Sequence, residues 1–432
     1  MPTNDELLSL EGVSSPVLSP DATSIVYTVT STDWDADRFV PQLHLALADG
    51  GSAARQLTTD PQGATSAAWS PDGGYITFIA SRNGGTAQVY ALPLAGGEAI
   101  TLSASDRGVS GYAWSDDGSV IAFLALEPET DEWKARKETF GDFVITRSPH
   151  TSIDQDHTHI FTLDVAAALA EGPQEGVQRT SGREFTCSAG LQWAPGSSTK
   201  LAFVGTDNPD LISGQTATVR ILKIDGNDGA IGEVTPLIVQ GGSDGAPRWS
   251  PCGRYIAYTS QIGRTANALN SIICVLPAIG GGTLPLELSH GFDENPSMID
   301  WTMDQGILFN GQEKTAAHLF CCGPMGDLGA AFEAAEQGTP LPPPPIIRMT
   351  GPDDAMLTSF SCVNGMAAAV SASSTALPEV VVSPIAEWSP RLLSSMTDQI
   401  AGWPALGGRE VISWESEDGA TIEGILITPP GL

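Results

Sequence analysis

The 432-residue chain sets 51 Asp and Glu against 20 Lys and Arg, a formal charge of −31. A field of that sign repels phosphate backbones and anionic lipid, which argues against nucleic acid and membrane surfaces as partners. With 47 Gly, 31 Pro, 16% charged and 41% apolar residues, the composition favours many short strands and turns around a substantial core over long helices.

The opening stretch, "MPTNDELLSLEG", lacks the basic segment and apolar core of a signal peptide, and "DELLSL" reads as a short helix with one apolar side. No run of 18 apolar residues occurs. The N-x-S/T candidate Asn295-Pro296-Ser297 carries the proline that blocks glycosylation. Six cysteines (Cys187, Cys252, Cys274, Cys321, Cys322 and Cys362) form no C-x-x-C pair and no zinc-like spacing. Together these features point to the cytoplasm, with free thiols. No cofactor is called for.

From Leu18 onward a unit recurs. "LSPDATSIVYTVT" starts at Leu18, "WSPDGGYITFIAS" at Trp69, "WSDDGSVIAFLAL" at Trp114 and "WAPGSSTKLAFVG" at Trp193. "WSPCGRYIAYTS" starts at Trp249, "WTMDQGILFNG" at Trp301, and a degenerate "FSCVNGMAAAVS" at Phe360. Seven residues after the lead stands Ile25, Ile76, Ile121 or Ile256, and two later Tyr27, Phe78, Phe123 or Tyr258. Leu201 and Phe203 follow Trp193 after a one-residue insertion, and Ile307 and Phe309 follow Trp301 after a one-residue deletion. The i, i+2 spacing puts both side chains on one strand face, and small or β-branched residues between them let the other face be buried too. In "SPDG", Pro sets φ at the first central turn position, Asp tolerates the second and Gly accepts the exit, so each lead enters a tight hairpin. Further strand-like runs, such as Gln88-Val-Tyr-Ala-Leu92, complete four antiparallel strands per unit.

Leads lie 45 to 79 residues apart, the spacing of propeller blades with loops. The long interval before Trp193 holds a polar insertion, Glu127–Asp142, and "AAALAEGPQEG"; Met325–Pro345 reads as a short helix and a polyproline spacer. The expected architecture is all-β, a β-propeller of seven blades of four antiparallel strands. The blades start near 18, 69, 114, 193, 249, 301 and 360. An N-terminal extension spans 1–17, the propeller 18–405, and a junction 406–432.

Candidate chemistry is sparse. "GGSDG", Gly241–Gly245, matches the G-x-S-x-G nucleophile elbow with Ser243. An elbow needs a helix after the serine, whereas "APRWSPCG" puts two prolines and a hairpin there, and the approach to Trp249 matches the approaches to Trp69 and Trp114. A hydrolase triad also runs Ser, Asp, His, and the histidines after Ser243 are His290 and His318, both inside repeats. Ser243 is read as a loop residue between blades. In "HTSIDQDHTH", His157 and His159 share a strand face near His150, Asp154 and Asp156. That cluster could start a metal site, but it offers no identifiable third ligand, and a solvated loop entering "HIFTLDV" explains it better. Asp116-Asp117, Glu127 with Glu129, and Asp353-Asp354 sit where turn chemistry accounts for them. "GSSTK", Gly196–Lys200, lacks the spacing of a phosphate loop. No catalytic or metal residue is assigned, and substrate-binding residues stay unknown. The lead tryptophans are read as packing between blades.

The C-terminal segment "REVISWESEDGATIEGILITPPGL", Arg409 to Leu432, resembles the junction of the prolyl oligopeptidase family, where the last blade gives way to an α/β-hydrolase domain. The matching features are the Asp418-Gly419 turn, the strand Ile422-Glu423-Gly424-Ile425-Leu426, and Pro429 and Pro430. "DELLSLEGVSSPVLSPD" and "KETFGDFVITRSPHTSIDQDHTHIFTLDV", ending in Leu163-Asp164-Val165, are similar to the acylaminoacyl-peptidase branch, although the insertion lacks its Trp-Gly-Glu. The W-S-P-D-G hairpin alone is shared with TolB-like propellers. The resemblance implies a non-catalytic propeller portion of a serine peptidase, ending at the start of an absent α/β-hydrolase domain. In such enzymes the propeller filters substrates to short peptides and forms the domain interface, and the Ser-Asp-His triad would lie beyond Leu432. This chain alone is expected to be inactive. Exposed strand edges make homo-oligomers an expectation. The alternative reading is a non-enzymatic propeller scaffold or peptide-binding module.

Overall fold

A computed structural model describes residues 2–129, 131, 134–135, 157–182, 186–206, 217–225, 229–238, 243–262, 270–279, 282–302, 306–351, 356–373, 375–403 and 407–429. The chain divides into two compact units. One comprises Met1–Trp69, Leu308–Cys321 and Ile346–Leu432; the other comprises Ser70–Ile307 and Cys322–Pro345.

The repeat frame sets the register of each hairpin. Leu18 pairs with Ile25, Trp114 with Ile121, Trp193 with Leu201 and Trp249 with Ile256. The turn between them is tied by its own side chains. Ser70 Oγ donates to Asp72 Oδ1 at 2.5 Å, Gly74 N donates to the same oxygen at 2.9 Å, and Ser70 N reaches Tyr75 O at 2.9 Å. Ser19 with Asp21 and Ser115 with Asp117 repeat the arrangement. Gly73 closes the turn at φ +71°, a conformation that costs glycine little.

In the second unit three sheets each contain four antiparallel strands. The first is Gly111–Trp114, Val120–Leu126, Thr158–Asp164 and Val177–Gln178. The second is Thr186–Trp193, Lys200–Thr206, Thr218–Lys223 and Glu233–Pro236. The third is Asp244–Trp249, Tyr255–Ser260, Ile272–Pro277 and Leu286–Glu287. Strands Tyr75–Ala80, Gln88–Pro93 and Ile100–Thr101 pair antiparallel ahead of them.

Alternation along Val120–Leu126 shows why these sheets stack. Ile121, Phe123 and Ala125 pack with Ile79, Val89 and Ala91 on one side. Ala122 and Leu124 pack with Trp193, Leu201 and Phe203 on the other. This strand is therefore buried on both faces, and stacking between sheets supplies hydrophobic stabilisation here. Gly176, at φ +81°, lies so close to this layer that a Cβ there would come within 2.6 Å of Phe123 Cζ.

The lead indoles stitch successive repeats. Trp193 Nε1 donates to Ala113 O at 3.1 Å and Trp249 Nε1 to Gln192 O at 2.9 Å, and in the first unit Trp69 Nε1 donates to Val17 O at 3.0 Å. Each acceptor is the residue just before the preceding lead. The expected packing role of the tryptophans is thus also a directional hydrogen bond. Trp114 differs, donating to Thr77 Oγ1 at 2.9 Å.

In the first unit, the sheet of Gly12–Leu18, Ser24–Asp33, Arg38–Leu47 and Arg55–Gln56 packs on the last sheet. Ile25, Tyr27 and Val29 meet Ala368, Val370, Val380 and Val382. Among the described residues no strand is exchanged between these two sheets; polar bonds add to the apolar packing. Leu18 N donates to Ser361 Oγ at 3.0 Å, and Asn364 Nδ2 to Pro20 O at 2.8 Å. Glu11 N donates to Gln399 Oε1 at 2.8 Å, and Gln399 Nε2 to Glu11 O at 3.0 Å.

Several elements depart from the sequence reading. Strand Gly12–Leu18 begins inside the stretch read as an extension, after a helix at Asn4–Leu8 closed by a Thr3/Glu6 capping box. "AAALAEG", read as insertion, forms the helix Val165–Glu171, N-capped by Asp164. Phe360 lies within strand Met356–Val363; the turn is Asn364-Gly365, at φ 47° and 76°, the positive pair that a type I′ hairpin requires. The last strands do not form a separate four-stranded sheet, because Met356 pairs in parallel with Ala317 and joins them to the preceding hairpin. Seven is therefore a count of leads, not of separate sheets. The expected helix in Met325–Pro345 is present as Leu328–Glu336.

Candidate functional site

The C-terminal hairpin is the feature least accounted for by the fold. Arg409–Glu415 pairs with Thr421–Ile427 in unbroken register from Arg409↔Ile427 to Glu415↔Thr421. Its turn reuses the repeat chemistry. Ser416 donates to the Asp418 carboxylate, Ala420 N donates to Asp418 Oδ1 at 3.2 Å, and Gly419 stands at φ +83°. The Ser416 hydroxyl holds the Asp418 carboxyl below its usual value, with the Ala420 amide adding to the effect. Apolar side chains nevertheless face solvent on both sides: Val411 and Trp414 are 50% exposed, Ile425 43% and Ile427 75%. One tie within the same unit is the ion pair of Lys314 Nζ with Glu423 Oε1 at 2.7 Å. A two-stranded ribbon with apolar residues on both faces is marginal by itself, so this hairpin is the surface best suited to cover by further structure.

The structure scatters the other candidates. Ser243 directly precedes strand Asp244–Trp249, and its carbonyl accepts from Gln261 N at 3.3 Å. A strand thus stands where an elbow needs a helix. His290 pairs with Glu287 at the surface, and His318 is buried with Nδ1 2.9 Å from Thr350 Oγ1. Asp117 is held by its turn, its carboxyl lowered to about 2 chiefly by the Ser119 and Ser115 hydroxyls. Asp116 Oδ2 accepts from Gly196 N at 2.7 Å, at the head of the "GSSTK" turn. Glu129 lies 3.8 Å from Arg107. His150, Asp154, Asp156, Asp353 and Asp354 lie outside the described residues.

His157 and His159 correct the solvated-loop reading, because both are buried. Their rings lie nearly parallel with centroids 6.4 Å apart, and Glu127 Oε2 is 3.9 Å from His159 Nε2. Burial first, then His157, lowers the His159 pKa to about 4. Among the described residues no group of three His, Cys, Asp or Glu is placed to hold a metal.

Two polar residues, Asp244 and Lys200, have places in the fold that the sequence motifs around them did not reveal. Asp244 is buried, and burial pushes its carboxyl up to about 6. It stands five residues before its lead, where the first three repeats carry the buried apolar residues Val13, Ala64 and Val109, so the departure from those copies was the available signal. Lys200 opens a second strand and sets Nζ 4.9 Å from the centre of the Trp249 ring, donating to Ala278 O at 3.1 Å.

Comparison with known proteins fits this architecture. Residues 5–149 match the family model described as PD40, TolB beta propeller domain. Over 102 residues the chain is 30% identical to the "Uncharacterized peptidase YuxL" of Bacillus subtilis (strain 168), covering 22% of this chain and 15% of that protein. Among solved structures, the acylaminoacyl peptidase of Pyrococcus horikoshii is similar at TM-score 0.69 and 13% identity, over 98% of this chain and 58% of that one. The β-propeller domain of the Trilobed protease from Pyrococcus furiosus, described as having an open velcro topology, is similar at TM-score 0.59 and 11% identity, over 90% of this chain and 99% of that one. The chain thus spans 58% of the length of the acylaminoacyl peptidase and 15% of that of the Bacillus subtilis protein. Its fold is an all-β propeller, similar to the propeller portion of acylaminoacyl peptidases.

Proposed function

We propose that this chain is the non-catalytic propeller portion of a serine peptidase that cleaves short peptides, serving as substrate-size filter and domain interface. The observation that carries the reading is the match of nearly the whole chain to 58% of an acylaminoacyl peptidase, together with an exposed apolar hairpin at Arg409–Ile427. In this reading residues 18–405 form the filter, residues 406–432 the junction, and an α/β-hydrolase domain outside this chain covers the hairpin and supplies the Ser-Asp-His triad. Free thiols support action in the cytoplasm: Cys187, Cys274, Cys321, Cys322 and Cys362 are buried and Cys252 is exposed. Among the described residues no helix is long and apolar enough to cross a membrane.

The purified 432-residue chain should not turn over acyl-amino-acid or dipeptidyl chromogenic substrates. Turnover that a serine-directed inhibitor abolishes would overturn the non-catalytic assignment. The match to the TolB propeller model favours one second reading, a non-enzymatic scaffold or peptide-binding module. Calorimetry with short peptides separates the two, since a binding module holds them without any hydrolase domain.

A further inference from the structure

The repeats supply an internal comparison that points to a ligand. Lys200 and Tyr75 occupy the same place in the frame, each opening the second strand of its repeat. The next leads are Trp249 and Trp114. Ala278 and Val165 also correspond, because Ala278 N donates to Arg254 O at 2.8 Å just as Val165 N donates to Ser119 O at 3.0 Å. In the later pair of repeats the chain fills the groove between turns with its own cation: the Lys200 ammonium lies 4.9 Å from the Trp249 ring centre and bonds Ala278 O.

In the earlier pair that cation is missing, and a cavity of about 300 Å³ stands in its place. Tyr75, Trp114 and Val165 line it, as do the acidic residues Asp72, Asp117 and Asp164, and its lining contains no Lys, Arg or His. Two of the acids have no counterpart in the later repeat. Asp117 stands where the later repeat has Cys252, and Asp164, opposite Val120, stands where it has Pro277, opposite Tyr255. Aromatic walls with fixed carboxylates are what an organic ammonium group requires.

We propose that this cavity binds an alkylammonium group, either a lysine side chain of a peptide or a free polyamine, over Trp114 and between Asp72, Asp117 and Asp164. The group takes the place that Lys200 takes beside Trp249.

Isothermal titration of the 432-residue chain tests this with Nα-acetyl-lysine methylamide, its neutral norleucine analogue and putrescine. The lysine amide should bind with a Kd of about 1 mM or tighter, and the norleucine analogue at least about tenfold more weakly. Asp164→Asn should weaken lysine binding about tenfold. Asparagine preserves the helix cap that Asp164 Oδ1 gives Ala167 N at 2.8 Å, so an unchanged Tm accompanies that loss. Tyr75→Lys should abolish binding by placing a tethered ammonium in the cavity. Tighter binding of the lysine amide assigns a peptide side chain, and tighter binding of putrescine assigns a free polyamine. Absence of binding, equal binding of norleucine, or indifference to Asp164→Asn overturns the proposal.

Discussion

Replacing Trp249 by leucine probes how one repeat is fastened to the next. The indole is buried, donates to Gln192 O at 2.9 Å and carries Lys200 Nζ 4.9 Å from its ring centre. Losing the hydrogen bond costs about 1 kcal/mol. The cation–π contact adds roughly 0.5–1 kcal/mol, and the reduced packing about 1–2 kcal/mol, for a total of about 3 kcal/mol. Trp249→Phe keeps an aromatic face and should lose roughly half of that. The decisive measurement is a double-mutant cycle with Lys200→Met, followed by urea unfolding under coincident circular dichroism and fluorescence. The bond from Lys200 to Ala278 O is lost in both backgrounds and cancels, so the cycle isolates the ring contact. A coupling of about 0.5–1 kcal/mol is expected. If Lys200→Met costs the same in the tryptophan and leucine backgrounds, the ammonium does not rest on the indole and the reasoning fails.

Asp244 should make stability depend on pH. Its folded pKa of about 6 lies above the usual carboxylate value, so the folded state holds its proton more tightly, and stability falls as pH rises from about 4 through 6. Asp244→Asn should remove that slope and raise the urea midpoint at pH 7.5 but not at pH 4, with a gain of roughly 2–3 kcal/mol. Gly176→Ala combines a positive φ with a Cβ 2.6 Å from Phe123 Cζ and should cost about 2–4 kcal/mol in denaturant unfolding. Replacing Val411 and Trp414 together by serine should leave stability within about 0.5 kcal/mol, while sedimentation velocity shows less self-association.

The repeat itself was legible, because a lead residue, a tight turn and an i, i+2 apolar pair are local signals. Ile121 and Phe123 could be placed on one strand face from spacing alone, and they are. The Val165–Glu171 helix was hidden because a short apolar run such as "VAAALA" carries too few residues to separate helix from loop. The indole bonds were illegible for a different reason: donor and acceptor lie in successive repeats, and an acceptor carbonyl leaves no mark on its own side chain. Lys200 and Asp244 did leave marks, as departures from what other copies carry at the same step. Both stand out against the other copies, whereas the motif match falls on Ser243, which the strand after it disqualifies as an elbow.

The reciprocal bonds between Glu11 and Gln399 give the sheet-bearing segment an entry and an exit at one point. A segment tied in this way resembles a cassette that a host chain could take up between two adjoining positions, without stretching either side of the insertion. Its natural cut points for permutation are the hairpin tips, such as Asn364-Gly365, because joining the two ends near Glu11 and Gln399 would require only a short linker.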